Sequence, residues 1–169
     1  MVSPEIVADI VLDEIPILVP EDLQYLKQIA WKRGAIVREE PLSGSEAQLL
    51  VIPKKKSIIT LSSLVGNRQR KRFALAHEIG HLELHRYTTE LTMCSQTDID
   101  ILHIKDQVSL EQEANQFAAC LLMPARFVEN VYSTDEPSLD LIRELSDQLD
   151  VSLTASALRM MDFSSEALA

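Results

Sequence analysis

The sequence has few cysteines, few aromatic residues and no long uncharged hydrophobic run. Cys94 and Cys120 are the two cysteines in 169 residues, too few for the disulfide framework of small secreted domains. Aromatic residues make up 5% of the chain, so aliphatic side chains must fill most of the core. No window approaches the ~20 uncharged residues that a transmembrane helix needs, and no secretory signal pattern opens the chain. We therefore expect a cytoplasmic protein without membrane contact.

Positive charge is also scarce. The chain has 16 Lys and Arg and 26 Asp and Glu, which gives a formal net charge of −10. Nucleic-acid binding depends on Lys and Arg that neutralise phosphates, so this balance predicts against direct nucleic-acid binding. The local exception is the segment Arg68 to Arg72, with four cations in five residues. We interpret it as a solvated helix start, with a docking patch for an acidic partner as the alternative.

The first half of the chain has the patterns of helices and short strands. Hydrophobic residues make up 46% of the chain, enough for the core of one domain. Helix signals predict a helix opening at Ser3-Pro4, a second from about Glu21 to Arg33, and a third from Asn67 to about His85. Extended segments at 35–38, 48–52 and 57–61 predict a small antiparallel sheet of meander type.

The second half is predicted to be mainly helical. Residues 88–105 predict a loop with a short element. Ser109, with Gln112 three residues on, has the pattern of a capping box and predicts a helix that runs to Met123. Apolar spacing predicts further helices towards Phe163, with a break near Val151-Ser152. The fold class predicted from these elements is α+β.

Residues 77–81, His-Glu-Ile-Gly-His, have the pattern of a zinc peptidase site on the third predicted helix. Residues four apart lie on one helix face, so His77 and His81 can offer imidazole nitrogens to one ion. Zn²⁺ lowers the pKa of a coordinated water towards ~7, and Glu78 lies where its carboxylate can take that proton. Gly80 removes bulk, which lets another backbone approach. The alternative is a pair of half-buried histidines without a metal.

Catalytic zinc usually takes a third protein ligand. One class of enzymes has Gly and His three and six residues after the second histidine, but this chain has Leu84 and Tyr87 there, which excludes that class. On the next predicted helix, Glu111 and Glu113 flank the apolar face on opposite edges, and either could be the ligand. Asn115, one turn after Glu111, could hydrogen-bond a ligating histidine, so we favour Glu111.

Other titratable residues have weaker signals. His85 lies one turn past His81, and we interpret it as a cation near a helix C-terminus, with a substrate-binding role or a hydrogen bond to a ligand as the alternative. His103 is interpreted as a surface residue. Acidic residues that could be alternative ligands, although no spacing favours them, are Glu90, Asp98 and Asp100.

Two segments together resemble the ImmA/IrrE family of metallopeptidases. Residues 70–85 resemble its central motif and residues 111–124 its second signature, in the same order and with a similar gap. The resemblance implies a zincin-like core, which we place at residues 1–124. The helical pattern that follows predicts a helix-turn-helix-like subdomain at residues 125–169, packed on that core. The resemblance also implies Glu111 as the third zinc ligand.

The same resemblance implies a zinc-dependent endopeptidase that cleaves a helix-turn-helix transcriptional repressor. Cleavage would relieve repression of stress-response or mobile-element genes. Longer members of the family carry a C-terminal sensor-like domain, which we do not expect in a chain of this length. A zinc hydrolase with a non-protein substrate is a further possibility that the metal motif alone permits.

A regulator that binds DNA, or acts as an anti-repressor without proteolysis, is the competing hypothesis, because residues 138–161 could form a helix-turn-helix. Arg159 is the only cation of the would-be recognition helix at residues 153–161. Asp147 and Asp150 precede that helix and would face phosphate unfavourably. We therefore favour a packing or repressor-docking role for this segment.

Residues 57–61 lie just before the metal-bearing helix. We predict that they form the exposed strand nearest the cleft, where an extended substrate could pair with unsatisfied backbone groups. The alternative is a strand that is paired within the sheet on both sides.

Overall fold

The computed structural model describes residues 3–15, 17, 19–52, 54–86, 101–132 and 138–167. Its elements are, in chain order, α1 (Pro4–Asp13), a 3-10 helix (Pro20–Tyr25), α2 (Leu26–Lys32), β1 (Ala35–Glu40), β2 (Ala47–Leu50), β3 (Ser57–Ser62), α3 (Arg68–Leu84), α4 (Ile101–Leu122), α5 (Ala125–Tyr132), α6 (Leu139–Leu149) and α7 (Leu153–Ala167). The predicted α+β class is confirmed. Among the described residues, no helix is both long and apolar enough to cross a membrane.

Helix boundaries in the first half follow local sequence signals. Pro4 opens α1 at its first turn, where a missing N–H breaks no helical hydrogen bond. Asn67 caps α3, because its side-chain oxygen accepts a hydrogen bond from the Arg70 N–H at 3.0 Å. Gly34 follows α2 with φ +90°, a left-handed conformation that favours glycine. The helix predicted before it starts as a 3-10 helix and becomes α-helical only at Leu26.

The three strands form a mixed sheet in the order β1-β3-β2. β1 pairs parallel to β3, with Ala35 opposite Ser57, and β2 pairs antiparallel to β3, with Ala47 opposite Leu61. The predicted antiparallel meander is therefore wrong. The physical reason is that β3 is the most buried strand. A buried strand needs a partner on each edge, because its N–H and C=O groups have no access to water.

The prediction that residues 57–61 form the exposed strand beside the cleft is also wrong, because β3 is the central strand. Its polar residues are buried, and the hydroxyl groups of Thr60 and Ser62 are hydrogen-bonded. Thr60 Oγ1 accepts from Arg38 Nε at 3.0 Å, and Ser62 Oγ donates to the Leu42 carbonyl at 3.3 Å. Hydroxyl groups satisfied in this way can be buried at small cost. The edge strand on the cleft side is β2.

Helix α4 begins at Ile101 rather than at Ser109. Ser109 does not cap a helix, because it lies inside α4 and its Oγ donates to Glu113 Oε1 at 3.5 Å, one turn later. The predicted capping box is therefore wrong. Within the segment predicted as a loop, residues 101–105 are helical. Some of the sequence-based interpretations lie outside the described residues: those for Tyr87, Glu90, Cys94, Asp98, Asp100 and the side chain of His103.

Helices α3 and α4 cross closely at Gly80. A Cβ atom added there would lie 3.0 Å from Phe117 Cδ1 and 3.2 Å from both the Cα and the carbonyl oxygen of Ala114. The missing side chain thus lets the α4 backbone approach, in agreement with the expectation for this glycine. Phe117 and Leu121 of α4 are fully buried in the core. The crossing brings together the two helices that carry the predicted ligands.

The basic segment at the start of α3 is paired within the protein. Arg68 and Arg70 are largely exposed, which agrees with the solvated interpretation, whereas Arg72 is nearly buried and its Nη2 donates to the Leu149 carbonyl at 3.1 Å. The ion pairs of the segment are Arg68–Asp150, Arg70–Glu46, Lys71–Glu39 and Arg72–Asp150. This segment therefore connects α3 to the sheet and to the end of α6.

The division into a core at residues 1–124 and a C-terminal subdomain at residues 125–169 stays a prediction.

Candidate metal centre

Three predicted ligands meet where α3 and α4 cross. His77 and His81, one turn apart on α3, and Glu111 on α4 each offer one atom, and these atoms lie within 4.8 Å of one another. The two histidine Nε2 atoms are 3.0 Å apart. The carboxylate oxygens of Glu111 lie 3.1 Å from His77 Nε2 and 3.3 Å from His81 Nε2. Within the part of the chain that the structure describes, no other group of at least three His, Cys, Asp or Glu side chains converges in this way.

These separations suit a small divalent cation. Zinc binds nitrogen and carboxylate oxygen at about 2.0–2.2 Å in tetrahedral geometry, which separates neighbouring ligand atoms by roughly 3.3 Å. The observed separations of 3.0, 3.1 and 3.3 Å are close to that value. Two imidazoles and one carboxylate also form a donor set that catalytic zinc sites use. The residues present therefore fit the metal that the sequence pattern predicts.

The predicted hydrogen bond from Asn115 to a candidate ligand is present. His77 Nδ1 lies 3.0 Å from Asn115 Oδ1, while its Nε2 faces the cluster. Asn115 and Glu111 are one turn apart on α4, so one face of this helix contacts both ring nitrogens of His77. A hydrogen bond on the nitrogen remote from the metal fixes the orientation of a ligating imidazole.

A second hydrogen-bonded chain extends behind His81. His81 Nδ1 lies 3.1 Å from His85 Nδ1, and His85 Nε2 lies 3.0 Å from Glu113 Oε2. His85 is only 3% exposed and lies within hydrogen-bond distance of His81, which is the alternative that we gave to a cation near the helix C-terminus. Glu113, the competing candidate ligand, contacts His85 here and is not part of the cluster.

Burial adjusts the protonation of two side chains at the site. Glu78 is 9% exposed, and its burial, with a smaller contribution from the charge of Glu111, raises its pKa to about 7. Burial, and then the neighbouring His77, lowers the pKa of His81 to about 4. His81 is therefore a neutral imidazole near neutral pH, the form that binds metals. A carboxyl group with a pKa near 7 can exchange a proton under the same conditions.

The cluster lies in a cleft with a volume of about 500 Å³. β2 and the residue before it form one wall, with Glu46, Ala47 and Leu49, whereas Glu111 and Asn115 of α4 lie on another. Glu78 and Phe73 of α3 also line the cleft. The volume is in the range of sites that bind small ligands, and an extended peptide segment can lie along the β2 wall.

Comparisons with known proteins agree with this geometry. The family model Peptidase_M78, described as IrrE N-terminal-like domain, matches residues 31–161. A solved structure described as a Mycobacterium tuberculosis transcriptional regulator is similar, with a TM-score of 0.63 and 16% sequence identity. The similarity covers 90% of this chain and 44% of that chain, so this chain spans less than half the length of that structure. At this identity the likeness supports the fold. No curated protein sequence matches the chain.

Proposed function

Because the chain belongs to the Peptidase_M78 family of IrrE N-terminal-like domains, we propose that it is a zinc-dependent endopeptidase that cleaves a helix-turn-helix transcriptional repressor. The observation that carries the proposal is the convergence of His77, His81 and Glu111 in an open cleft, beside the buried carboxyl group of Glu78. Cleavage would relieve repression of stress-response or mobile-element genes. We expect it to take place in the cytoplasm.

The cluster would hold zinc through His77 Nε2, His81 Nε2 and a carboxylate oxygen of Glu111. Bound zinc supplies Lewis acidity, which acidifies water and polarises a peptide carbonyl. Glu78 then acts as the general base: its carboxylate takes a proton from the attacking water and delivers it to the nitrogen of the leaving amine. A cation nearby favours the ionised carboxylate that this role needs.

The hydrogen bonds behind the candidate ligands indicate which nitrogen of each neutral ring carries the proton. Because Nε2 of His77 and of His81 would bind the metal, the single proton of each ring is on Nδ1. His77 Nδ1–H donates to Asn115 Oδ1, and His81 Nδ1–H donates to Nδ1 of His85, whose Nε2–H donates to the Glu113 carboxylate. We propose that these contacts orient the two imidazoles and increase their basicity as ligands.

Among the described residues, β2 pairs with a strand on one side only, and its other edge is the proposed binding site for an extended substrate. The Ser62 N–H donates to the Glu46 carbonyl at 2.7 Å, and hydrogen-bonded pairs alternate along an antiparallel ladder. Ala47 and Leu49 therefore direct their N–H and C=O groups away from β3. Both residues line the cleft, so a peptide paired with them lies beside the candidate ligands.

Substituting Leu49 by proline tests this role of β2. Proline removes an N–H that points to the open edge rather than one that pairs with β3. Loss of one hydrogen bond to substrate, about 1 kcal/mol, should lower kcat/KM for repressor cleavage roughly fivefold or more. Leu49→Ala, which keeps the N–H, is the matched control and should cleave faster than the proline variant. If Leu49→Pro folds, binds zinc and cleaves at the parental rate, β2 does not hold the substrate.

The proposed activity is tested with a purified small helix-turn-helix repressor, chosen from the genes next to that of this chain if one is encoded there. We expect the zinc-loaded chain to cut that repressor once, in the linker between its domains, because pairing with β2 requires an extended segment. A chelator should stop the cleavage and added zinc should restore it, as read by mass spectrometry of the fragments. A repressor that stays intact with the zinc-loaded chain contradicts the proposed substrate.

The competing DNA-binding hypothesis is disfavoured by the position of Arg159. This side chain is 7% exposed, its Nε donates to the Met123 carbonyl at 3.3 Å, and its Nη2 donates to Glu5 Oε1 at 3.0 Å. The only cation of the would-be recognition helix therefore holds α7 against α1 and the end of α4, and it is not available to phosphate. We propose that the C-terminal helices have a packing role.

A further inference from the structure

A second cavity, with a volume of about 330 Å³, adjoins the metal cleft. The two share Glu46 and Phe73 as lining residues. The start of α3 supplies a polar side of the second cavity. Its apolar lining comes from the end of α4 and from the region where α6 gives way to α7, with the residues Leu122, Met123, Val151 and Ala155.

Hydrogen bonds between elements hold the walls of this second cavity in place. Gln69 Nε2 of α3 donates to the Val151 carbonyl at 2.9 Å, and Ser146 Oγ of α6 donates to the same carbonyl at 2.7 Å. Leu122 and Met123 on the facing side are buried in the core. The α6–α7 connection is thus fixed against α3, the metal-bearing helix. The walls of the cavity are therefore held in place by contacts within the fold.

The direction of β2 relates the second cavity to the cleft. Leu49 lines the metal cleft but not the second cavity. Glu46, just before β2, lines both the cleft and the second cavity. A peptide antiparallel to β2, the more stable pairing, would run from the Leu49 end towards Glu46. Its residues after the scissile bond would therefore approach the second cavity. Phe73 is one turn from His77, roughly 6 Å along α3, and an extended peptide advances about 3.3 Å per residue.

We propose that the second cavity is a specificity pocket for one apolar side chain of the substrate, from the first three residues after the scissile bond. This inference rests on the proposed peptidase function. An apolar side chain gains from leaving water. The charged residues of the lining, Glu46 and Arg70, form an ion pair with each other, so a substrate charge between Met123 and Val151 would lose hydration without gaining a free partner. The C-terminal helices therefore take part in substrate selection, through the wall formed by Val151 and Ala155.

Hydroxamates test the pocket without the natural substrate, because the hydroxamate group chelates zinc by itself. The probes are hydroxamates followed by a three-residue peptide in the N-to-C direction, with Leu, Phe, Asp or Lys at each position in turn. The zinc-loaded full chain should bind acetohydroxamate, which has no side chain. At one of the three positions, Leu or Phe should lower Kd roughly tenfold or more relative to Asp, a discrimination of the size that apolar pockets give.

Ala155→Trp tests whether this preference belongs to the second cavity, because an indole at residue 155 would occupy a large part of the space beside Val151. The variant should lose the preference for Leu or Phe and keep the parental Kd for acetohydroxamate. Leu158→Trp is the control: it introduces the same residue on the same helix, at a side chain that is 60% exposed and does not line the cavity. It should keep the preference. Thermal unfolding shows whether both variants are folded. If Ala155→Trp does not fold, Ala155→Leu replaces it.

The outcomes separate this inference from the proposed function. A zinc-loaded chain that does not bind acetohydroxamate overturns the proposed metal site and this inference with it. If acetohydroxamate binds but Leu and Phe give no gain over Asp at any position, the second cavity is not an apolar specificity pocket. If folded Ala155→Trp keeps the preference for Leu or Phe unchanged, the inference is also overturned. The peptidase proposal then still stands.

Discussion

Glu78→Gln should remove most of the proteolytic activity and leave the zinc content unchanged. The glutamine amide has nearly the same shape as the carboxyl group, but it cannot accept a proton from water. General-base assistance contributes typically 10²–10⁴-fold, so we expect kcat/KM to fall by roughly that factor. Zinc should stay, because Glu78 is not a member of the cluster of His77, His81 and Glu111.

Two measurements on the same preparations check this expectation. Repressor cleavage is followed over time, and zinc per chain is measured by metal analysis. Glu144→Gln, the same change at an exposed residue of α6, controls for the lost charge and should retain parental activity. Parental cleavage by a folded Glu78→Gln variant would contradict the role of general base.

The same substitution should change how the stability of the metal-free chain depends on pH. Burial raises the pKa of Glu78 from 4.5 to about 7 in the folded state. The folded chain thus holds this proton more tightly than the unfolded chain, and the free energy of unfolding falls as pH rises from 4.5 to about 7. Below 4.5 this contribution is fully present. Glu78→Gln should show a smaller decrease across that window, as measured by denaturant unfolding at each pH.

The second large effect is expected from removing a ligand. His81→Ala should reduce zinc from one ion per chain to almost none, and Glu111→Gln should weaken zinc binding strongly, because each leaves the site with one protein ligand fewer. Glu113→Gln is a matched control for Glu111→Gln, since it is the same change two residues away on α4. It should retain zinc, because Glu113 is not a ligand and the glutamine oxygen can still accept the hydrogen bond from His85 Nε2–H. His85→Phe removes the acceptor for His81 Nδ1–H. Its zinc affinity should be roughly 10–100-fold below that of the parent, which is between the affinities of the ligand variants and that of Glu113→Gln.

Competition with a chelator of known affinity gives the zinc Kd of each variant, and thermal unfolding of the metal-free proteins shows whether the fold persists. The order of zinc affinity is the decisive result. If Glu113→Gln empties the site while Glu111→Gln keeps zinc, then Glu113 is the third ligand and the assignment made here is wrong.

Features that depend on local spacing could be predicted from the sequence. The four-residue interval between His77 and His81 places both on one face of any helix, so their convergence needs no knowledge of the rest of the fold. The same interval relates Glu111 to Asn115, and the structure places both against His77. Asn67 also caps α3 as its side chain and position predict.

Features that depend on which elements meet could not be predicted in this way. Nothing in residues 41–56 indicates that β1 pairs with β3 rather than with β2, because each strand has a pattern that permits either neighbour. The imperfect alternation of β3 and its position just before α3 predicted an exposed strand beside the cleft. Its burial depends on strands and side chains elsewhere in the chain that satisfy its polar groups. His85 and Glu113 likewise come into contact only because α3 and α4 cross. The four-residue spacing of the histidines at 77, 81 and 85 was the one sequence signal for a role of His85 at the site.

The close crossing at Gly80 limits how this protein can evolve. An added methyl group would require the backbone at Ala114 to yield by a few tenths of an ångström, and Glu111, less than one turn earlier on α4, would move with it. Metal sites tolerate deviations of about 0.2 Å in ligand distance. Natural selection at residue 80 therefore acts on the position of a carboxylate that belongs to another helix. A glycine that contributes no atom to the metal centre can be as restricted in its mutational freedom as the histidines beside it.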